Sequence, residues 1–197
     1  LPREHADRRR ADQRETFARI VDLALRPPEK AHLLLISGDL FDSEHPSQRD
    51  VAFVRSQFDR LAKEGVRTFI IPGNHDPWRE RNFWSKAEFP QVRLFTRPEL
   101  DCEELPELGV SVCGIAPDPS NPATNQLAEC EPRLRSGISI LLYHGSWLNF
   151  GGDSADFHPF TTDDIRRQPF TYIALGHYHA IRSIDNRAAY PGAPEAI

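Results

Sequence analysis

Apolar positions recur along the chain with two different periods. Phe17, Ile20, Val21 and Ala24 are spaced for one face of a helix, which predicts an amphipathic helix over residues 8–25 that Pro27 and Pro28 stop. The run His32-Leu33-Leu34-Leu35-Ile36 is too short for a helix and reads as a buried strand in a sheet covered on both faces. Ser47 opens a second helix with Asp50 as its capping-box partner. Val51, Val54, Phe58 and Leu61 form its apolar stripe, and Gly65 closes it. Residues 66–71 are then a second buried strand. Strand, helix and strand in succession predict parallel pairing in an α/β fold, with these two strands as central neighbours. Further strands are predicted at 92–95, 110–115, 138–143, 172–175 and 181–184, and the Pro- and Asn-rich stretch 116–125 reads as a loop.

Composition narrows the class. A chain of 197 residues fits one domain, 1–197, and can bury a core without staples. No apolar run approaches the ~20 residues of a membrane helix, and no charged-then-apolar leader is present, so a cytoplasmic protein without a membrane partner is expected. With Leu1 first and no Met, the chain reads as a fragment. Cys102, Cys113 and Cys130 form no CxxC pair and are odd in number. Neither a disulfide scaffold nor a Cys-based zinc site is expected, and a reducing compartment is. The net charge of −5 argues against a protein that simply coats nucleic acid. The acidic excess is concentrated between Arg97 and Arg135, and the rest of the chain is balanced. Arg dominates the basic residues, which suits bidentate phosphate contacts or reflects genome composition.

The chemistry concentrates at four strand ends: Ser37-Gly38-Asp39-Leu40-Phe41-Asp42, Pro72-Gly73-Asn74-His75-Asp76, Tyr143-His144-Gly145-Ser146 and Gly176-His177-Tyr178-His179. In each, an apolar run stops abruptly and oxygen or imidazole donors follow. Singly, a Gly-Asp is a turn, and a strand-end His is a core or surface residue. Gly-His-x-His is stronger, because alternate residues point the same way. Ligands of α/β sheets bind beyond the carboxyl ends of strands, so four such ends predict one shared site.

In this order, GDLFD, GNHD, YHG and GHYH resemble the motifs of the calcineurin-like metallophosphoesterases. The GDLFDSEHPS run, the helix before it and the ALGHYHA…YPGAPE ending are most similar to the SbcD-type DNA repair exonucleases. The resemblance implies a two-sheet αββα sandwich and two divalent metal ions, with manganese first and iron or zinc as alternatives that the mixed donor set also suits. It assigns Asp39 to both ions, Asn74, His144 and His177 to one, His179 to the other, and His75 to catalysis at the departing oxygen. Asp42 is left between an outer role at the site and a helix-capping or loop role. His158, His45, His32 and His5 match no motif. The family's Asp-x-His motif and the strand before it are absent, and no cap follows Pro191-Gly192. The domain is therefore expected to be truncated at its N-terminus and to lack its C-terminal cap, which would leave this chain inactive or nearly so.

DNA is the implied substrate, an SbcC-type ATPase the implied partner, and a homodimer is open. The alternatives are a phosphoesterase for a small substrate, such as a cyclic nucleotide or a phosphomonoester, and a non-catalytic scaffold of the same fold. Trp78 and Trp84 flank Arg79 and Arg81 and read either as a stacking patch at the site mouth or as rings buried by a short helix.

Overall fold

The computed structural model describes residues 3–86, 89, 92–132, 134, 137–148 and 157–194. The first helix, α1 (Arg3–Ala24), ends just before Pro27, and β1 (Leu33–Ser37) follows. Next come α2 (Gln48–Lys63), β2 (Arg67–Ile71), a short α3 (Phe83–Lys86) and β3 (Val92–Leu94). The second half runs β4 (Asp101–Leu105), β5 (Val110–Gly114), α4 (Gln126–Glu129), β6 (Ile138–His144), α5 (Thr162–Arg167), β7 (Tyr172–Gly176), β8 (Ile181–Ile184) and β9 (Ala188–Pro191).

The strands form two sheets, ordered β1-β2-β3 and β4-β5-β6-β7-β9-β8. β1 and β2 are parallel neighbours, with Leu33 opposite Arg67 and Ser37 opposite Ile71, as the alternation of strand and helix predicts, but among the described strands β1 lies at the edge of its sheet and only β2 is central. Side-chain alternation then builds the layers. Leu34, Ile36 and Ile70 face α1 and α2, where they meet Val21, Phe58 and Leu61. Leu33, Leu35, Phe69 and Ile71 point the other way and pack on Val112, Leu142 and Leu105 of the second sheet. The opposite face of that sheet presents Cys113, Leu141, Tyr143, Ile173 and Leu175 to Leu127 of α4 and Ile165 of α5. The order helix, sheet, sheet, helix is the αββα sandwich.

The Ser47 cap is present: its Oγ accepts the Asp50 N–H at 3.1 Å. Two strands depart from expectation. β4 is acidic rather than apolar, and its charges are met by the first sheet, with Arg93 donating to Asp101 at 2.6 Å and Arg67 to Glu103. β9 inserts between β7 and β8, and its hairpin with β8 turns on Asp185 and Asn186, at φ 49° and 55°. The cysteine expectation is corrected too. β4–β5 pairing sets Cys102 opposite Cys113 with their Cα atoms 4.0 Å apart, and the two are disulfide-bonded. Cys130 is free, and burial pushes its thiol up to about 11. Among the described residues no helix is long and apolar enough to cross a membrane.

Candidate metal centre

The carboxyl ends of β1, β2, β6 and β7 meet at one edge of the sandwich. The Ser37 hydroxyl, at the end of β1, donates to Ala174 O of β7 at 2.8 Å and ties the two sheets together. Missing side chains allow this approach. A methyl on Gly176 would be driven into the Ser37 carbonyl oxygen and would lie 2.8 Å from His144 Nδ1. One on Gly73 would strike the backbone and carboxylate of Asp39. The turns are tight enough to hold Asp39 at φ 53° and His177 at φ 111°, in the left-handed region. A non-glycine residue there costs on the order of 1–3 kcal/mol, and such strain concentrates at functional sites.

Asp39, Asn74, His144 and His177 lie together, whereas His179, expected beside them, is not in that group. One donor atom from each of Asp39, His144 and His177 lies within 4.8 Å of the other two. Asn74 Oδ1 sits between the two rings, 2.8 Å from His144 Nε2 and 3.1 Å from His177 Nδ1. Asp39 Oδ2 is 3.4 Å from His144 Nε2. The Ser37 carbonyl, 2.7 Å from His144 Nδ1, can only accept, so Nδ1 carries the proton and donates to it. This assigns the tautomer: Nε2 keeps its lone pair and turns it toward Asn74 and Asp39. Lone pairs of an imidazole, an amide oxygen and a carboxylate facing one another repel unless a cation lies between them, so the donor set fits a divalent ion.

Electrostatics agree. Burial raises the Asp39 carboxyl, but the neighbouring His144 ring and the His75 N–H outweigh it and hold the group below its ordinary value. Burial, with the neighbouring His144 next, lowers His177 to about 4, so its ring is neutral and able to ligate at pH 7.

His75 lies at the rim, half-exposed, and donates its backbone N–H to Asp39 Oδ1 at 2.9 Å. Its Nδ1 is 2.9 Å from Asp42 Oδ1. Asp42 is thus the partner of His75 and not a helix cap, which is Ser47. His179 is exposed on the turn after β7, and its backbone carbonyl holds Ala193 N at 2.9 Å. His158 is buried, with Nδ1 3.1 Å from Thr124 O. This contact brings the loop 116–125 back toward the site, whereas the acidic β4 lies at the far sheet edge. Trp84 is buried and donates its indole N–H to Asp76 O at 2.6 Å, as the buried-ring reading expects, while Trp78 is 39% exposed.

Two contributors were not anticipated. Phe157 stacks on His177 with ring centroids 5.6 Å apart and meets His144 edge-on at 5.8 Å. It belongs to no motif, and nothing in the sequence marks it. Asp76 is fully buried behind Asp39, and burial pushes its carboxyl up to about 7 against the pull of the Gly73 and Phe41 N–H groups. Its place as the last residue of GNHD was the available signal.

The model of the family described as calcineurin-like phosphoesterase matches residues 5–181. An uncharacterized metallophosphoesterase of Bacillus subtilis, YhaO, is 30% identical over 191 residues, covering 92% of this chain and 46% of that protein. The DNA double-strand break repair protein Mre11 of Sulfurisphaera tokodaii is 28% identical, covering 89% and 45%. The SbcD component of the nuclease SbcCD of Staphylococcus epidermidis is 28% identical, covering 80% and 49%. The chain spans about half the length of these curated relatives. The family model covers well over half of the chain, and the chain belongs to the calcineurin-like metallophosphoesterases.

Proposed function

We propose that this domain hydrolyses phosphodiester bonds in DNA as the nuclease part of a longer repair protein. The observation that carries the reading is the convergence of Asp39, Asn74, His144 and His177 on one point. The resemblance to Mre11 and to the nuclease SbcCD points it toward DNA. Asp39, Asn74, His144 and His177 would hold one divalent ion, and Asp39 with His179 would contribute to a second. When bound, such ions polarise the phosphoryl group and lower the barrier to attack by water. Manganese is the ion we favour.

The chain's own residues do the rest. Ser37 and Gly176 set the His144 ring, and Phe157 covers the two imidazoles and excludes water from one side. Asp42 accepts from Nδ1 of His75 and favours the imidazolium form, whose Nε2–H would give its proton to the departing oxygen. No serine or cysteine nucleophile is needed, so hydrolysis is direct. An SbcC-type ATPase is the partner this reading implies.

The test is hydrolysis by the full-length protein, stripped of metal and then supplied with Mn²⁺, Fe²⁺ or Zn²⁺. Its substrates are linear duplex DNA and a small phosphodiester such as bis-p-nitrophenyl phosphate. The proposal expects metal-dependent cleavage of DNA, with binding that weakens steeply with salt. Cleavage of the small ester with DNA untouched would replace it by the small-substrate reading. No hydrolysis with any ion would support the scaffold.

A further inference from the structure

The Asp76 carboxylate hydrogen-bonds backbone N–H groups and joins the two loops that carry Asp39 and Asn74. Its Oδ1 accepts the N–H of Gly73 at 2.7 Å and that of Asp39 at 3.2 Å, and its Oδ2 accepts the N–H of Phe41 at 3.1 Å. The first donor belongs to the loop after β2, the other two to the loop after β1. The arrangement is reciprocal. The Asp39 carboxylate accepts the His75 N–H at 2.9 Å, so each aspartate is tied to the backbone of the other's loop. Asp76 is fully buried, and its own carbonyl is held by the Trp84 indole at 2.6 Å within a cluster of Phe41, Phe83 and Phe89. The aromatic cluster thereby fixes Asp76, and Asp76 fixes the loop.

Holding this loop has a chemical consequence. Asp39 sits at φ 53°, a conformation an aspartate leaves readily unless its surroundings enforce it. Removing the Asp76 acceptor would orphan three backbone donors and free Asp39 to relax. Its carboxylate would then turn away from His144 and His177.

We propose that Asp76 is a positioning residue of the metal centre: by clamping Gly73, Asp39 and Phe41 it aims the Asp39 carboxylate at the point shared by Asn74, His144 and His177. The inference rests on the reading of that cluster as a metal centre. Asp76 is a carboxylate directed at backbone donors, and the ion does not touch it.

The experiment uses the full-length protein and Mn²⁺. Asp76→Asn keeps one carbonyl oxygen for Gly73 and Asp39 but turns an amide NH₂ against the Phe41 N–H. The comparison variant is Leu61→Ala, a core truncation on α2, outside the loops after β1 and β2. Titration calorimetry and the electron paramagnetic spectrum of bound Mn²⁺ are recorded for all three proteins. Losing an outer partner of a ligand typically weakens metal binding about 10–100-fold. The expected result is a loss of that size in Asp76→Asn with an altered spectrum, against unchanged affinity and spectrum in Leu61→Ala. Wild-type affinity and spectrum in Asp76→Asn would overturn the proposal. So would equal losses in both variants, which would make the effect one of general stability.

If Asp76→Asn does not fold, amide exchange in the unaltered protein still decides. The Asp39 and Phe41 N–H groups, although outside any strand, should be protected as strongly as those of β2, and rapid exchange would overturn the clamp. Absence of Mn²⁺ binding by the unaltered protein, with those amides protected, would instead overturn the metal reading and the inference resting on it.

Discussion

The two sheets touch where Gly176 meets Ser37, and Gly176→Ala tests how tightly the site depends on that contact. The added methyl points into the Ser37 carbonyl and lies 2.8 Å from His144 Nδ1. Both neighbours are poorly able to retreat. Ser37 is backbone in β1, paired with Ile71, and the His144 side chain is buried beneath Asn74. Overpacking of a well-packed interior costs about 1–3 kcal/mol and occasionally more, and a collision with backbone belongs at the upper end. For a chain of this size, ~3 kcal/mol lowers Tm by about 6–12 °C. The methyl also separates Ser37 O from His144 Nδ1, the 2.7 Å bond that fixes the tautomer, so Mn²⁺ affinity should fall about 10–100-fold. Gly65→Ala is the control. A methyl there meets nothing within 4 Å but sits at φ +75°, so it should cost about 1–2 kcal/mol and leave metal affinity alone. The assays are urea unfolding and calorimetric titration of both variants. If Gly176→Ala is no less stable than Gly65→Ala and binds Mn²⁺ like the unaltered protein, the apposition of β1 and β7 at the site is wrong.

Acid should destabilise the metal-free protein through His177. Its ring titrates near 4 in the fold against 6.5 in the unfolded chain, so the unfolded state binds the extra proton. Stability from this group is full above pH 6.5 and is lost as pH falls toward 4. It amounts to about 1–2 kcal/mol once the partial exposure of the ring is discounted, and His177→Gln should flatten that part of the profile. His75→Ala should lower kcat about 10²–10⁴-fold with Mn²⁺ binding nearly unchanged. Asp42→Ala, which removes a largely exposed partner of that ring, should lower kcat by about 10-fold or less. Trp84→Ala should cost about 3–5 kcal/mol in urea unfolding, because the ring is buried and bonded to Asp76. Trp78→Ala should leave stability within about 1 kcal/mol. If Trp78 stacks on bases, its loss should raise KM for DNA and not for a small phosphodiester.

Much of the site was legible in the sequence, because polar donors gather where four apolar runs stop: Asp39, Asn74 and His177 each follow a glycine, and His144 closes β6. That the four strand ends meet followed from the rule that parallel strands end on one side, whereas the choice of Asp39, Asn74, His144 and His177 came from the resemblance of the motifs to the metallophosphoesterases. Parallel β1 and β2 followed from the helix between them. The division into two sheets was not legible in local patterns. β9 pairs in register with β7 although β8 intervenes in sequence, a tertiary choice made by its contacts. β4 was hidden by its acids, whose partners Arg67 and Arg93 lie on the other sheet. The Cys102–Cys113 bond became evident only once the hairpin register set those residues opposite each other. The GNHD run marked Asp76 but not the direction of its carboxylate, and Phe157 stacks on His177 without any periodic signature.

The central claim is that Asp39, Asn74, His144 and His177 form a divalent metal site. The most direct test is calorimetric titration of Mn²⁺ into the protein and into two histidine variants. His177→Ala removes a ring held 3.1 Å from Asn74 Oδ1, whereas His158→Ala removes a buried imidazole that contacts the Thr124 backbone rather than the cluster. Binding by the unaltered protein and by His158→Ala, lost in His177→Ala, is the predicted result; binding that survives in His177→Ala and disappears in His158→Ala would contradict it.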